Sequence, residues 1–179
     1  NDNQYPTPSD NYKEATKVGQ HIEYYNGRLF IAKNETIWYT DAYNYGVIDM
    51  RTNAMKMKDE VTMMKAVDDG IYVSIGDIND RSSIIFLSGS TPDDMAAKVA
   101  ASYGAIEGTA VKTESSYVGD GADGKKVLWV SRKGICLGEN GGKFTNLTAT
   151  KYEVTQNRYG AGQFKITNGV PQYIASLWT

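Results

Sequence analysis

One cysteine, one histidine and four prolines in 179 residues remove several function classes at once. A lone Cys136 cannot close an internal disulfide, so packing and hydrogen bonds must hold the fold. With His21 as the only imidazole, a zinc site of the His/Cys type lacks ligands. A nucleophile would need Cys136 or a serine beside His21, and no spacing brings such a pair together. Charge of one sign is also lacking. Nineteen Lys and Arg against 21 Asp and Glu give a net charge of −2, which leaves no electrostatic footprint for nucleic acid or an anionic membrane. No apolar run approaches the ~20 residues a helix needs to cross a bilayer. The sequence therefore predicts no metal, no cofactor, no nucleic-acid-specific binding and no membrane insertion. Since the chain starts at Asn1 with neither Met nor a signal-like stretch, the expectation is a processed or partial product.

What is abundant is tyrosine and glycine, 13 and 18 residues, with 41% hydrophobic residues in all. Tyrosine favours a pleated, half-buried surface and glycine supplies turns, so the composition predicts strands joined by tight connections. The segment IEYYNGRLFIAKNETIWYTD, residues 22–41, sets the pattern. Asn26-Gly27 between two strand-like runs is a strong hairpin signal, because a type I′ turn needs φ > 0 at both central residues. A polar turn at Lys33 to Glu35 then leads to Ile37-Trp38-Tyr39. Related units begin at Val67, with Asp69-Gly70 as the turn, and at Val127, with Lys133-Gly134. The turn glycines are 43 and then 64 residues apart. The first interval suits one four-stranded propeller blade of roughly 40–45 residues, and an insertion from Ser90 to Gly124 accounts for the longer second one. A last hairpin joins Phe164–Thr167 to Gln172–Leu177 through Asn168-Gly169.

The fold class expected is therefore all-β: antiparallel meanders forming a partial or open propeller-like domain over residues 20–179, with at most one short helix. That helix would start at Ser90-Thr91-Pro92-Asp93-Asp94, which carries a cap, an N1 proline and first-turn acids. Met50 to Glu60 suits a strand with Lys56 and Lys58 facing out. Residues 1–19 read as an extended arm or linker, in which Pro6 and Pro8 forbid regular structure. Tyr5 and Tyr12 in the arm, with Tyr43 and Tyr45 in a loop, are candidate interface residues.

Motifs that would carry chemistry have structural explanations. Gly119-Asp-Gly121-Ala-Asp-Gly124 has the letters of a dinucleotide loop, but a strand follows where a helix is needed. Asp77-Ile-Asn79-Asp80 is broken as a calcium loop by Arg81 at the fifth position. Asp68-Asp69 sits at a turn and Asp93-Asp94 at a cap, so neither pair reads as a glycosidase dyad. His21 reads as a partly buried residue at a strand start, and Cys136, between Ile135 and Leu137, as a small buried hydrophobe.

In their order, NGRLFIA, IWYTD, VDDGIYVSI, IIFLSG, YGAIEGTAV, VLWVSRKGICLG, NLT and NGVPQY resemble segments of a family of tailed-bacteriophage virion proteins. The resemblance covers about Gln20 to Trp178. Its most specific pieces are Gly104-Ala-Ile-Glu-Gly108-Thr-Ala-Val and Trp129-Val-Ser-Arg-Lys-Gly-Ile-Cys. It implies a non-enzymatic, propeller-like structural component of the tail or the neck/connector. Its implied place is the virion, its partners other virion proteins and copies of itself in a symmetric assembly. Family members are longer at the N-terminus, where they would supply further blades; here that part is missing or replaced by the Pro-containing arm, so the resemblance does not extend to a closed single-chain ring. The alternative is a carbohydrate-binding, lectin-like propeller for host adsorption, with Tyr43, Tyr45, Trp38 and Trp129 stacking on sugars. A glycoside hydrolase fragment is the third reading, and it would need carboxylates converging in one cleft.

Overall fold

The computed structural model describes residues 12–15, 18–118, 123–149, 151–154 and 157–179. Their regular structure is β: sixteen strands in antiparallel sheets, with 3₁₀ turns at Pro92–Asp94, Ser115–Tyr117 and Asn140–Gly142 and no α-helix. A short ribbon pairs β1 (Lys13–Ala15) with β5 (Val47–Asp49), so this part of the arm docks on its own chain. Tyr5 lies outside the described residues, as does most of the glycine loop that ends at Gly124.

Three four-stranded meanders make up the body. The first is β2 (His21–Tyr25), β3 (Arg28–Lys33), β4 (Thr36–Tyr39) and β6 (Ala54–Lys56). The second is β7 (Val61–Ala66), β8 (Gly70–Ile75), β9 (Ser83–Ser88) and β10 (Ala96–Ala101). The third is β11 (Val111–Glu114), β12 (Lys125–Ser131), β13 (Gly134–Glu139) and β14 (Lys143–Asn146). A separate hairpin, β15 (Tyr159–Thr167) and β16 (Val170–Trp178), follows.

Turn chemistry explains the hairpins. Asn26 and Gly27 take φ of 45° and 78°, and Asn168 and Gly169 take 51° and 77°, the left-handed pairs a type I′ turn requires. The turn expected at Lys133-Gly134 lies one residue earlier: Arg132 and Lys133 form it, and Gly134, paired with Ser131, opens β13 at φ 114°. Gly70 differs from the sequence expectation. It is the first residue of β8 and not a left-handed turn residue; its α-carbon lies against Phe86 and the Leu87 carbonyl, where no side chain fits. The long second interval also has another origin. Gly27 and Gly70 stand between the first and second strands of their meanders, whereas Gly134 stands between the second and third. Residues 90–124 are thus no insertion: they hold β10, β11 and the link between two meanders.

At 91–95 the capping signature produces one 3₁₀ turn, in which the Thr91 amide donates to Asp94 Oδ1 at 2.7 Å. Met95 is already extended, and β10 completes the second sheet. Of Met50 to Glu60 only Ala54–Lys56 is strand, the last of the first meander, where Met55 turns onto the core while Lys56 reaches Glu35 at 2.6 Å in solvent.

The sheets stack with the second in the middle. Every residue of β8 is buried, because alternate side chains serve two cores. Ile71, Val73 and Ile75 pack with Tyr25, Phe30, Ile37 and Tyr39 of the first sheet. Tyr72, with Met63, Ile84 and Phe86, packs against Val127, Trp129 and Cys136 of the third. Each fully buried side chain of this size contributes about 1.5–3 kcal/mol, so the middle sheet welds the three into one body. Tyr72 adds a polar clamp. Its hydroxyl lies 2.6 Å from the Glu139 carbonyl and 2.8 Å from that of Lys143, and it accepts from the Glu139 amide at 3.1 Å. Burial raises its pKa.

Cys136 lies in this second core. Burial pushes its thiol pKa up to about 11, and the Ser131 hydroxyl sits 3.3 Å from the sulfur. The reactive species is the thiolate. A maleimide at pH 8 is therefore expected to leave the native chain unlabelled and to label it only as fast as the chain unfolds. Labelling in native buffer at the rate of a free thiol would place Cys136 outside the core.

Candidate interaction surface

The first strand of each meander is an edge strand, and charged groups tie these three edges together. Glu23 of β2 is buried on the core face. Its carboxylate accepts from Lys112 of β11 and lies 3.8 Å from Lys65 of β7. One acid thus links all three sheets, and both lysines keep part of their side chains in water. Nearby acidic loops serve similar ends. Asp68 accepts from the Lys125 amide at 2.7 Å and the Asn140 side chain at 3.1 Å, and Asp69 accepts from the Gly141 amide at 2.7 Å. These bonds join the second meander to the third; the Asp68-Asp69 pair is a clamp.

His21, at the start of β2, stands 3.9 Å from Glu107. Burial lowers its pKa, against the opposing pull of Glu107. An unfolded chain takes up this proton first, near the ordinary imidazole value of about 6.5. Stability is therefore full above that pH and falls as pH drops through it toward the folded value. Thermal melts from pH 7.5 to 5 should show a steeper loss for the parent than for His21→Gln. Parallel curves would remove His21 as the cause.

Among the described residues no three of His, Cys, Asp and Glu gather as metal ligands would, and no helix is long and apolar enough to cross a membrane. What stands out instead is apolar surface. On the first sheet, Ile22, Tyr24, Leu29, Ile31 and Trp38 share the face turned away from the second. Ile31 is buried there, but Ile22 and Tyr24 are 60% and 53% exposed. The loop after β4 folds back over the Asn26-Gly27 turn: the Tyr43 amide donates to the Gly27 carbonyl at 2.7 Å, and the Tyr43 ring covers the bare glycine. Tyr45 meets Tyr24 edge-on, with ring centroids 6.2 Å apart. The sequence-predicted Tyr43 and Tyr45 are thus gathered with Tyr24 and Ile22 at one end of the stack.

Tyr12 is engaged within the chain, beneath the Arg51 guanidinium at 4.3 Å, and Arg51 in turn pairs with Asp49 at 3.0 Å. It is less free for a partner than its place in an arm suggests. Trp129 cannot stack on a sugar at all, because it is fully buried between the second and third sheets. Trp38 is half-buried on the outer face of the first sheet. Sequence reasoning passed over Tyr24, Glu23 and the exposed side of the last hairpin. Alternation across β2 is the signal that assigns Tyr24 to the outer face. No local signal marks Glu23, whose partners lie 42 and 89 residues away.

No protein-family model and no curated protein matches the chain.

Proposed function

We propose that the chain is a non-enzymatic structural component of a tailed-phage virion, in the tail or neck, acting through protein–protein assembly. The observation that supports this most is a contrast between the inside of the stack and its ends. Inside, Glu23, Asp68 and Asp69 are spent on joining one meander to the next, and Glu139 on a lysine within its own sheet. At the ends, Ile22, Tyr24, Tyr43 and Tyr45 on one side and Val170, Ile174 and Trp178 on the other stay in solvent. Exposed apolar surface of this kind marks interaction sites, and the order of motifs resembles a virion protein.

In this reading the three meanders are blades of an open propeller-like ring. A ring takes about four to eight blades. The first blade, covered on one face only, accepts the next from a neighbouring subunit. Particles assembled without this chain should have a missing or broken tail part in negative-stain images. Intact, infectious particles would refute the proposal.

A second reading, glycan binding for host adsorption, draws on an open groove of about 510 Å³ lined by Tyr103, Lys133, Asn146, Tyr152 and Glu153. Its rings and polar groups are of the kind that hold sugars. A blank glycan array would end it.

A further inference from the structure

The outer edge of β16 has no strand beside it among the described residues, and we propose that it pairs antiparallel with the same strand of a second copy, about a twofold axis at Ile174. The proposal refines the assembly reading by naming a partner and a surface.

Backbone directions come first. On β15 the amides of Gly160 and Gly162 turn away from β16 to the carbonyls of Glu107 and Gly108, at 2.8 and 3.2 Å. These glycines pair with Leu177 and Ala175. In an antiparallel ladder such rows hold their backbone groups outward on both strands. Pro171 stands in the same set of rows, and its missing N–H costs nothing toward β15. Leu177, Ala175, Tyr173 and Pro171 therefore present the free edge, with every group but the proline nitrogen able to bond.

Side chains decide the occupant. The strand reads Val-Pro-Gln-Tyr-Ile-Ala-Ser-Leu-Trp, with no charge in nine residues. Edges that avoid pairing carry lysines or inward charges, and this one has only Pro171 near its tip. Self-pairing about Ile174 sets Val170 against the second copy's Trp178, Gln172 against Ser176, and Ile174 against itself. On the opposite face Pro171 meets Leu177 and Tyr173 meets Ala175. Apolar meets apolar and polar meets polar at every row, which is what an isologous interface requires. Val170, Ile174 and Trp178 are each about half exposed, at 55%, 47% and 48%. They lie on one face with Tyr159, opposite Trp178. A two-ribbon contact is smaller than the roughly 1,200–2,000 Å² of stable complexes, so the dimer is concentration-dependent.

The test uses the full chain. Ile174→Cys should cross-link to itself under mild oxidation, since facing α-carbons in such a row lie about 4.5 Å apart, within disulfide reach. Val170→Cys and Trp178→Cys should each stay single alone and cross-link when mixed. Gln163→Cys, on β15 across from Ile174, is the control. In sedimentation equilibrium Ile174→Lys, which opposes two ammonium groups at the axis, should weaken dimerisation at least about tenfold with an unchanged melting curve. Cross-linking no greater than that of Gln163→Cys, or a parent chain monomeric up to about millimolar, overturns the proposal. Should Ile174→Lys melt early, the mixed-cysteine pair decides instead. A chain that cross-links as described yet is dispensable for the particle would sink the virion reading and leave this one standing.

Discussion

Trp129→Ala is expected to lower the unfolding free energy by about 3–5 kcal/mol, the usual cost of emptying a large aromatic site in a core. Trp129 is fully buried, with ring centroids 5.7 Å from Tyr72 and 5.8 Å from Phe144. Gly138 makes the room: a β-carbon there would sit 2.8 Å from the Tyr72 ring and 2.9 Å from the indole. The cavity left by alanine is walled by β-sheet on both sides and has little freedom to collapse. Against a typical net stability of about 5–15 kcal/mol, the loss takes a large share. Trp129→Phe is expected to cost much less, because the indole N–H has no hydrogen-bond partner among the described residues, and only packing is lost. Urea titrations of both variants check this. A loss below about 1 kcal/mol for the alanine variant would mean the second and third sheets are not held together here.

The second large effect is expected at Lys126→Met. Lys126 and Glu139 face each other across β12 and β13 at 3.0 Å, both almost wholly out of solvent, and Lys126 also donates to the Val118 carbonyl at 2.6 Å. Removing the ammonium leaves the Glu139 carboxylate with Lys143 at 3.3 Å, a lysine with half its side chain in water. Breaking a buried ion pair from one side costs about 3–5 kcal/mol, whereas replacing both partners by apolar groups is often near neutral. Lys126→Met/Glu139→Leu should therefore recover most of the loss. The same denaturation experiment, run as a double-mutant cycle, reports the coupling directly. A double variant no more stable than the single one would show that Lys126 acts through packing and the Val118 carbonyl, and not through Glu139.

Both effects arise at places of unequal visibility in the sequence. The strand around Trp129 was legible from its apolar run, Val127 to Val130, and the turn signal at Lys133-Gly134 after it. Which sheet covers each face was not, since such a run is consistent with burial on both sides but does not name the partners. The buried Lys126 ran against expectation for the most solvated of side chains. Its partner Glu139 is on the next strand, but the desolvation that makes the pair matter comes from the surrounding fold. The same division holds for the candidate surface. Tyr43 and Tyr45 could be picked out as loop aromatics, whereas Tyr24 joined them only once the loop had closed over Gly27. Gly70 looked like Gly27 as a letter in a turn, yet serves as a gap for Phe86, a distinction that depends on a residue 16 positions further on.

By itself, the sequence determined that this protein is built of antiparallel ribbons turned at Asn26-Gly27 and Asn168-Gly169, with a third turn placed within one residue of Lys133-Gly134. It also left too few histidines and cysteines for the common metal and nucleophile sites. Local sterics enforce those features: left-handed φ values tolerate few residues, and alternation follows from the pleat. Tertiary structure alone decided that three meanders stack with the second in the middle, that Glu23 joins their first strands, and which aromatics stay in water. Those outcomes depend on which faces meet across long stretches of chain, and no short window of residues carries that information.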